Sequence, residues 1–315
     1  MNPPITIWII VNIFILAMLT LDLLVFHRDA HEVSMKEAAG WSVFWIALSG
    51  FFNLGIYFFM GPQAGLEFLT GYLIEKTLSV DNLFVFVLIF SYFNVPAKYQ
   101  HRVLFWGILG AMIMRGIMIG LGTVLITQFH WIIYLFGAFL ILSGIRMIWQ
   151  DDEQIEPERN PVLRLFRRII PVTDTYHAQK FIVKKNIAGR KHLMATPLLV
   201  VLVLIETTDL VFAVDSIPAV FAITLNPFIV YTSNIFAILG LRALYFLLAG
   251  VVHKFHYLKM GLSAVLVFVG AKMLLMDIYH ISTPLSLVMV ALFIGGSVGA
   301  SLAFPKPDTL GNTQT

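Results

Sequence analysis

The chain has 315 residues, 59% hydrophobic and 12% charged, with a mean hydropathy of +0.86. Soluble domains carry roughly 25% charged residues, so this composition excludes a water-soluble enzyme and implies a chain that crosses a membrane many times. There is no cysteine, which removes disulfides and thiolate metal sites, and the net charge of +3 is small.

A span needs about 20 apolar residues. The hydropathy pattern predicts nine, at about 5–26, 40–60, 66–92, 102–127, 130–149, 195–222, 228–250, 258–277 and 283–304. The first lacks a basic leader and a small-residue cleavage site, so it reads as a retained span. Between the fifth and sixth lies one long polar connection, about 150–194, which reads as a cytoplasmic connector. Within it, VLRLFRRII predicts a short amphipathic helix on the membrane surface. FIVKKNIAGRKHLMATP predicts a small hairpin around an Asn-Ile-Ala-Gly turn.

Basic residues fall in alternate loops: Arg28 and Lys36, then Lys98 and Arg102, then nine in the long connection, then Lys254 and Lys259, and last Lys306. Positive-inside reasoning places these loops in the cytoplasm, with the N-terminus outside and the C-terminus inside. The same placement beside spans argues against nucleic-acid binding; membrane lipid is the expected surrounding.

The third and sixth spans carry acids. LIEKTLSVDNLFVF holds Glu75 and Asp81; LIETTDLVFAVDSIPAVF holds Glu206, Asp209 and Asp215. A carboxylate at the bilayer centre costs roughly 2.5–3.5 kcal/mol even on lenient scales, so each needs a compensating partner. The two segments resemble each other: Glu75-x5-Asp81 aligns with Asp209-x5-Asp215, and Val80-Asp81-Asn82 with Val214-Asp215-Ser216. Ile108-Leu109-Gly110 then matches Ile238-Leu239-Gly240, and the segment 143–147 matches 269–273. Spans three to five are therefore expected to recur as spans six to eight. Two consecutive three-span units cross in opposite senses, which makes an inverted repeat with a site near the midplane. The expected architecture is all-α: a two-span segment (1–62), a first unit (63–149), the connector (150–194), a second unit (195–280), and a final span with its tail (281–315).

Six residues turn a regular helix through about 240°, so Asp209 and Asp215 cannot share a face unless the helix opens. Pro218 follows Asp215 closely, and Ser79, Asn82 and Ser216 can rebond loosened backbone. Both acidic segments are therefore expected to bend or unwind, adding carbonyl ligands. Carboxylate, hydroxyl and carbonyl oxygens suit hard divalent cations: Mg²⁺, Ca²⁺ or Mn²⁺. Asn82, Thr207 and Thr208 offer further oxygens, and Met112, Met114 or Met147 a soft contact to manganese. Asp22 is a sixth intramembrane acid, which can join the site or meet water. Glu67 and Asp277, at span ends, are expected to be solvated.

Lys76, Arg115, Arg242 and Lys272 also lie within spans. Lys76, Arg115 and Arg242 are the candidate counter-charges, so the acids can instead form a structural ion-pair network. Arg146 and Lys272, near span ends, are expected to snorkel. Six acids against four bases leave an excess that a divalent ion or two protons would cancel.

EKTLSVDN, ETTDLVFAVDSIPA and TSNIFAILGLRALYFLLAG resemble the TerC family of integral membrane proteins, most closely its Alx-like members. The resemblance runs from the first span through the eighth. It implies a bacterial inner-membrane protein linked to metal homeostasis, chiefly Mn²⁺ export, with Glu75, Asp81, Glu206, Asp209 and Asp215 as the intramembrane acids. The expected function is a secondary transporter exporting Mn²⁺ against protons through a midplane carboxylate site. The alternative is a non-transporting membrane scaffold or sensor that binds metal and assists metallation of exported proteins. No nucleotide-binding motif appears, and no hydrolase or HExxH pattern suggests an enzyme.

Overall fold

The computed structural model describes residues 3–21, 34–149, 161–173, 175–187, 190–249, 257–279 and 281–304. Asp22 lies outside them, as does the side chain of Asp81. Eleven helices occur among the described residues: α1 (Ile5–Leu21), α2 (Met35–Met60), α3 (Pro62–Tyr92), α4 (Ala97–Gln128), α5 (Ile132–Trp149), α6 (Pro161–Ile169), α7 (Pro197–Phe221), α8 (Pro227–Leu239), α9 (Leu241–Ala249), α10 (Leu258–Leu274) and α11 (Thr283–Ala303). The one hairpin pairs β1 (Ile182–Ile187) with β2 (Arg190–Ala195).

Local chemistry accounts for the helix starts. Ser34 caps α2 by accepting from the Glu37 amide, and Asn226 caps α8 by accepting from the Phe228 amide at 3.1 Å. Proline opens α3, α7 and α8, where its missing N–H costs nothing. A single residue, Gly61 at φ +98°, joins α2 to α3, a backbone angle that glycine adopts without steric penalty.

Five helices (α2, α4, α5, α7 and α11) are long and apolar enough to cross a membrane, and the bent pair α8–α9 would make a sixth. α1 is apolar but shorter, α10 has only 17 residues, and α3 carries Glu67, Glu75, Lys76 and Asp81 along its length. The exterior is apolar: Phe51, Phe58, Leu121 and Leu142 face outward, and Phe59 is 91% exposed. The interior holds Glu75, Arg115, Asn234 and Thr232. Polar groups inside and large apolar ones outside suit a lipid surround, since lipid cannot satisfy hydrogen bonds.

At the centre α3 packs on α7 and α8, and α4 packs on α7 and α8. Beside this group α5 and α10 form a close pair, which also meets α7 and α3. α11 leans on α10 and α3, and α2 on α3 and α9. The Tyr231 hydroxyl donates to Asn12 Oδ1 at 2.6 Å and ties α1 to α8.

The α5–α10 pair is antiparallel, because Gly137 lies against Gly270 while Gly144 lies against Ser263. A Cβ on Gly270 would come within 2.6 Å of the Gly137 carbonyl oxygen. The Ser263 hydroxyl donates to the Gly144 carbonyl across the same seam. Gly270→Ala must push these backbones apart, and overpacking of this kind costs about 1–3 kcal/mol. A lowered melting temperature in detergent is the expected result, with Gly295→Ala, where a Cβ meets open space, as the unaffected control.

Two expectations about the acidic spans are corrected. α3 and α7 run unbroken through their acids, with Pro218 accommodated near the end of α7. In α7 no opening is needed, because Asp209 and Asp215, six residues apart, serve different partners. The break falls instead in α8–α9, bent by 41°. There the Lys76 ammonium donates to the Ala237 carbonyl at 3.1 Å and sits beside Gly240. A side chain inserted into a helix ladder is a recognised cause of kinks.

The connector forms α6 and the hairpin. Its strands extend to Ile187 and resume at Arg190, so Asn186 and Ile187 pair as strand residues rather than turn. The Tyr176 hydroxyl donates to the Phe93 carbonyl at 2.6 Å and anchors this unit to the α3–α4 turn. Lys272 does not snorkel: it is buried, and its ammonium donates to Ser286 Oγ at 2.9 Å. Arg146 is exposed. Asp277 accepts from the Tyr134 hydroxyl and lies 4.0 Å from His130 Nε2, with its side chain 55% exposed.

Candidate functional site

Arg115 lies fully buried on α4 at the meeting of α3, α7 and α8. Its Nη1 pairs with Glu75 on α3. Nε and Nη2 reach the two oxygens of Asp209 on α7 at 3.3 and 3.0 Å, a two-pronged contact that suits a planar guanidinium. Nη1 also donates to Asn234 Oδ1 on α8 at 2.7 Å and to Ser216 Oγ on α7 at 3.4 Å. Asn82 Nδ2 donates to Asp209 Oδ1 at 3.3 Å, and Ser79 Oγ to Glu75 Oε1 at 3.5 Å. Ser79, Asn82 and Ser216 therefore serve the charges rather than a loosened backbone.

Glu75 and Asp209, the acids aligned between the two segments, thus converge on one base. Arg115 keeps its charge at any physiological pH. One positive charge meets two negative ones, and the deficit shows in the hydrogen bonding. Glu75 Oε2 and Asn82 Oδ1 are buried acceptors with no hydrogen-bond partner among the described residues. Buried polar atoms left this way are rare and call for a physical explanation.

The other α7 acids face elsewhere. Asp215 Oδ1 accepts from Ser143 of α5 at 2.9 Å. A small cavity beside it is lined by Leu78, Asn82, Met147, Phe212, Asp215, Ser216 and Leu266. Asn82 and Ser216 form the wall that this cavity shares with the Arg115 network. The Asp81 backbone sits on α3 next to Asn82. Glu206 lies three residues before Asp209, against the bare face of Gly110 on α4, where a Cβ would collide with its carboxylate. Neither Glu206 nor Asp215 touches a cation among the described residues.

Among the described residues, Arg115 is the counter-charge seen against Glu75 and Asp209. Lys76 is committed to Ala237, and Arg242 lies 2.8 Å from His101 Nε2. The Thr207 and Thr208 hydroxyls donate back to the Val203 and Leu204 carbonyls. Of the three methionines considered, Met147 lines the cavity. Among the described residues, no three His, Asp or Glu side chains gather closely enough to hold a metal ion. Arg115 occupies the space between Glu75 and Asp209, while Asp215 is drawn toward α5. Sequence reasoning missed Asn234, Ser143 and Gly110 as members of this site. Asn234 had a usable signal, since a lone amide in an apolar helix is expensive without a partner.

The model of the Integral membrane protein TerC family matches residues 60–308, most of the chain. The chain belongs to this family. It is 55% identical over 289 residues to the membrane protein STKORF319 of Myxococcus xanthus, covering 92% of this chain and 89% of the relative. It is 51% identical over 283 residues to Alx of Escherichia coli (strain K12), covering 87% of each chain. It is 50% identical over 287 residues to Alx of Salmonella typhi, covering 88% of each. Both Alx proteins carry names describing them as candidate membrane-bound redox modulators. No solved structure matches the chain.

Proposed function

We propose that this TerC-family protein is a secondary transporter that exports a divalent metal, Mn²⁺, from the cytoplasm in exchange for protons. The observation that carries this reading is the pair of half-buried carboxylates, Glu206 and Asp215, on membrane-crossing α7 with no cation against them among the described residues. A charge in that setting needs a mobile partner, a metal ion or a proton. Asp215 and Asn82 around the cavity, with Asp81 adjacent on α3, supply oxygen donors for a hard divalent ion, and Met147 a soft contact to manganese. The unpartnered oxygens Glu75 Oε2 and Asn82 Oδ1 are further acceptors awaiting a cation.

Nine spans, an N-terminus outside and a location in the bacterial inner membrane belong to the same reading. So does the inverted repeat. It is supported by the exchange of partners between units: α3 packs on α8 as α4 packs on α7. It is also supported by the antiparallel α5–α10 seam, where the aligned glycines Gly144 and Gly270 both sit at close contacts.

Moving two charges outward against an inside-negative potential costs about 4.6 kcal/mol per 100 mV, and inward protons can offset that. Carboxylates that bind either species couple the two flows by competition. Purified protein in liposomes loaded with Mn²⁺ is expected to release it several-fold faster when the external medium is acidic. Release no faster than from Mn²⁺-loaded liposomes without protein, under either gradient, would refute the transporter.

A second reading, a metal-binding scaffold that does not transport, is favoured by Glu75 and Asp209 already being held by Arg115. It differs in the cell: a transporter lowers cellular Mn on overexpression, and a scaffold does not. The relatives' names invoke redox modulation. A chain without cysteine has no thiol of its own for that purpose, and a supply of metal is a route open to it.

A further inference from the structure

Two carboxylates share one guanidinium at the centre of this protein, and the mismatch has a direction. Glu75 and Asp209 together carry two negative charges; Arg115 supplies one positive charge. A divalent cation in the place of Arg115 would balance the pair. Arg115 also has somewhere to go, because Asn234 Oδ1 at 2.7 Å and Ser216 Oγ at 3.4 Å are neutral acceptors already in reach. Ser216 and Asn82 each touch the ion-pair network and also line the Asp215 cavity. Events in the cavity and at Arg115 therefore share side chains.

We propose that Arg115 is a tethered cation that occupies Glu75 and Asp209 when no metal is bound, and that the cargo ion displaces it onto Asn234 and Ser216. This rests on the transporter reading and adds the step that reading lacks. A metal-free exporter must return to the cytoplasmic side with its acids neutralised, since bare carboxylates resist passage through a low-dielectric core; Arg115 supplies one of the two positive charges, and an inward proton the other. Arg115 stands in for the cargo on that return. Guanidinium suits the role because it cannot lose its proton, whereas Lys76 is held at the α8–α9 break.

The experiment separates net efflux from exchange in liposomes carrying the full chain. Net efflux is the loss of labelled Mn²⁺ into metal-free medium and requires the empty carrier to return. Exchange, with Mn²⁺ on both sides, does not. For Arg115→Gln the expected result is net efflux lowered about tenfold or more, while exchange persists. Arg115→Lys, which keeps the charge, is expected to retain more net efflux than Arg115→Gln. Net efflux equal to wild type in Arg115→Gln overturns the proposal. So does a folded Arg115→Gln protein that has lost both activities, because Arg115 would then only hold the helices together.

Asn234→Ala tests the same idea with the ion pair intact. Asn234 Oδ1 accepts from Arg115 in the resting state too, but once the acids hold metal it is one of only two acceptors left to the guanidinium, so its loss should cost the displaced state more and raise the half-saturating Mn²⁺ concentration several-fold. No change there overturns the displacement step, even where Arg115→Gln does not fold. A wild-type protein that moves no metal in either assay overturns the transporter reading itself, and this inference with it.

Discussion

Asp215→Asn should lower Mn²⁺ efflux by about a hundredfold or more, because the charge count of the ligands sets affinity for a hard cation. The substitution keeps the size and one carbonyl oxygen of the side chain. Ser143 can therefore still donate at this position, as it does to Asp215 Oδ1. No base leans on Asp215 among the described residues, so none is left unpaired. Stability should then change by no more than about 1 kcal/mol. Flux in liposomes and a melting curve in detergent measure the two halves together. An Asp215→Asn protein that exports Mn²⁺ as fast as wild type would remove the cavity from the transport path.

Arg115→Leu should behave in the opposite way, with the loss falling first on the fold. It leaves Glu75 and Asp209 buried with no counter-charge, and breaking a buried ion pair costs about 3–5 kcal/mol. Glu75→Gln should be milder, although it touches the same pair. It leaves one acid facing one base, so the loss is about one charge-assisted hydrogen bond, roughly 1.5–3 kcal/mol. Charge arithmetic thus predicts that removing the one base destabilises more than removing either acid. The triple change of Glu75, Arg115 and Asp209 to Leu should recover much of the lost stability, since apolar packing often replaces a buried ionic network without penalty. Melting temperatures in one detergent give the order. Equal melting of Arg115→Leu and Glu75→Gln would show that the two acids are not both ionised in the resting protein.

Much of the architecture was legible because it depends on short stretches of chain. Apolar runs marked the helices. The alternation of basic and apolar residues in VLRLFRRII marked α6, and the β-branched residues after Phe181 marked the hairpin. These signals arise from helix period, strand pleat and the cost of burying polar groups, all of which act within one segment.

The state of α3 and α7 was misread for an instructive reason. A separation of six residues forbids a shared face, and bending seemed required only because all the acids were assigned to one site. The structure divides them: Glu75 and Asp209 face Arg115, Asp215 faces α5, and Glu206 faces Gly110. Unbroken helices satisfy all of these at once. Lys76 shows the same limit. It adjoins Glu75 in the chain, yet one residue turns a helix by about 100°, and its ammonium reaches α8 instead.

By itself, the amino-acid sequence determined that five carboxylates fall within two strongly apolar segments and that such acids outnumber the bases in the apolar stretches. Both facts follow from composition and hydropathy alone. Only the tertiary structure decided that Arg115 binds its partners from 40 and 94 residues away, while Glu206 and Asp215 stand without one among the described residues. Which charges neutralise each other depends on how α4 and α8 close over α3 and α7, and residues so far apart in the chain carry no local trace of that approach.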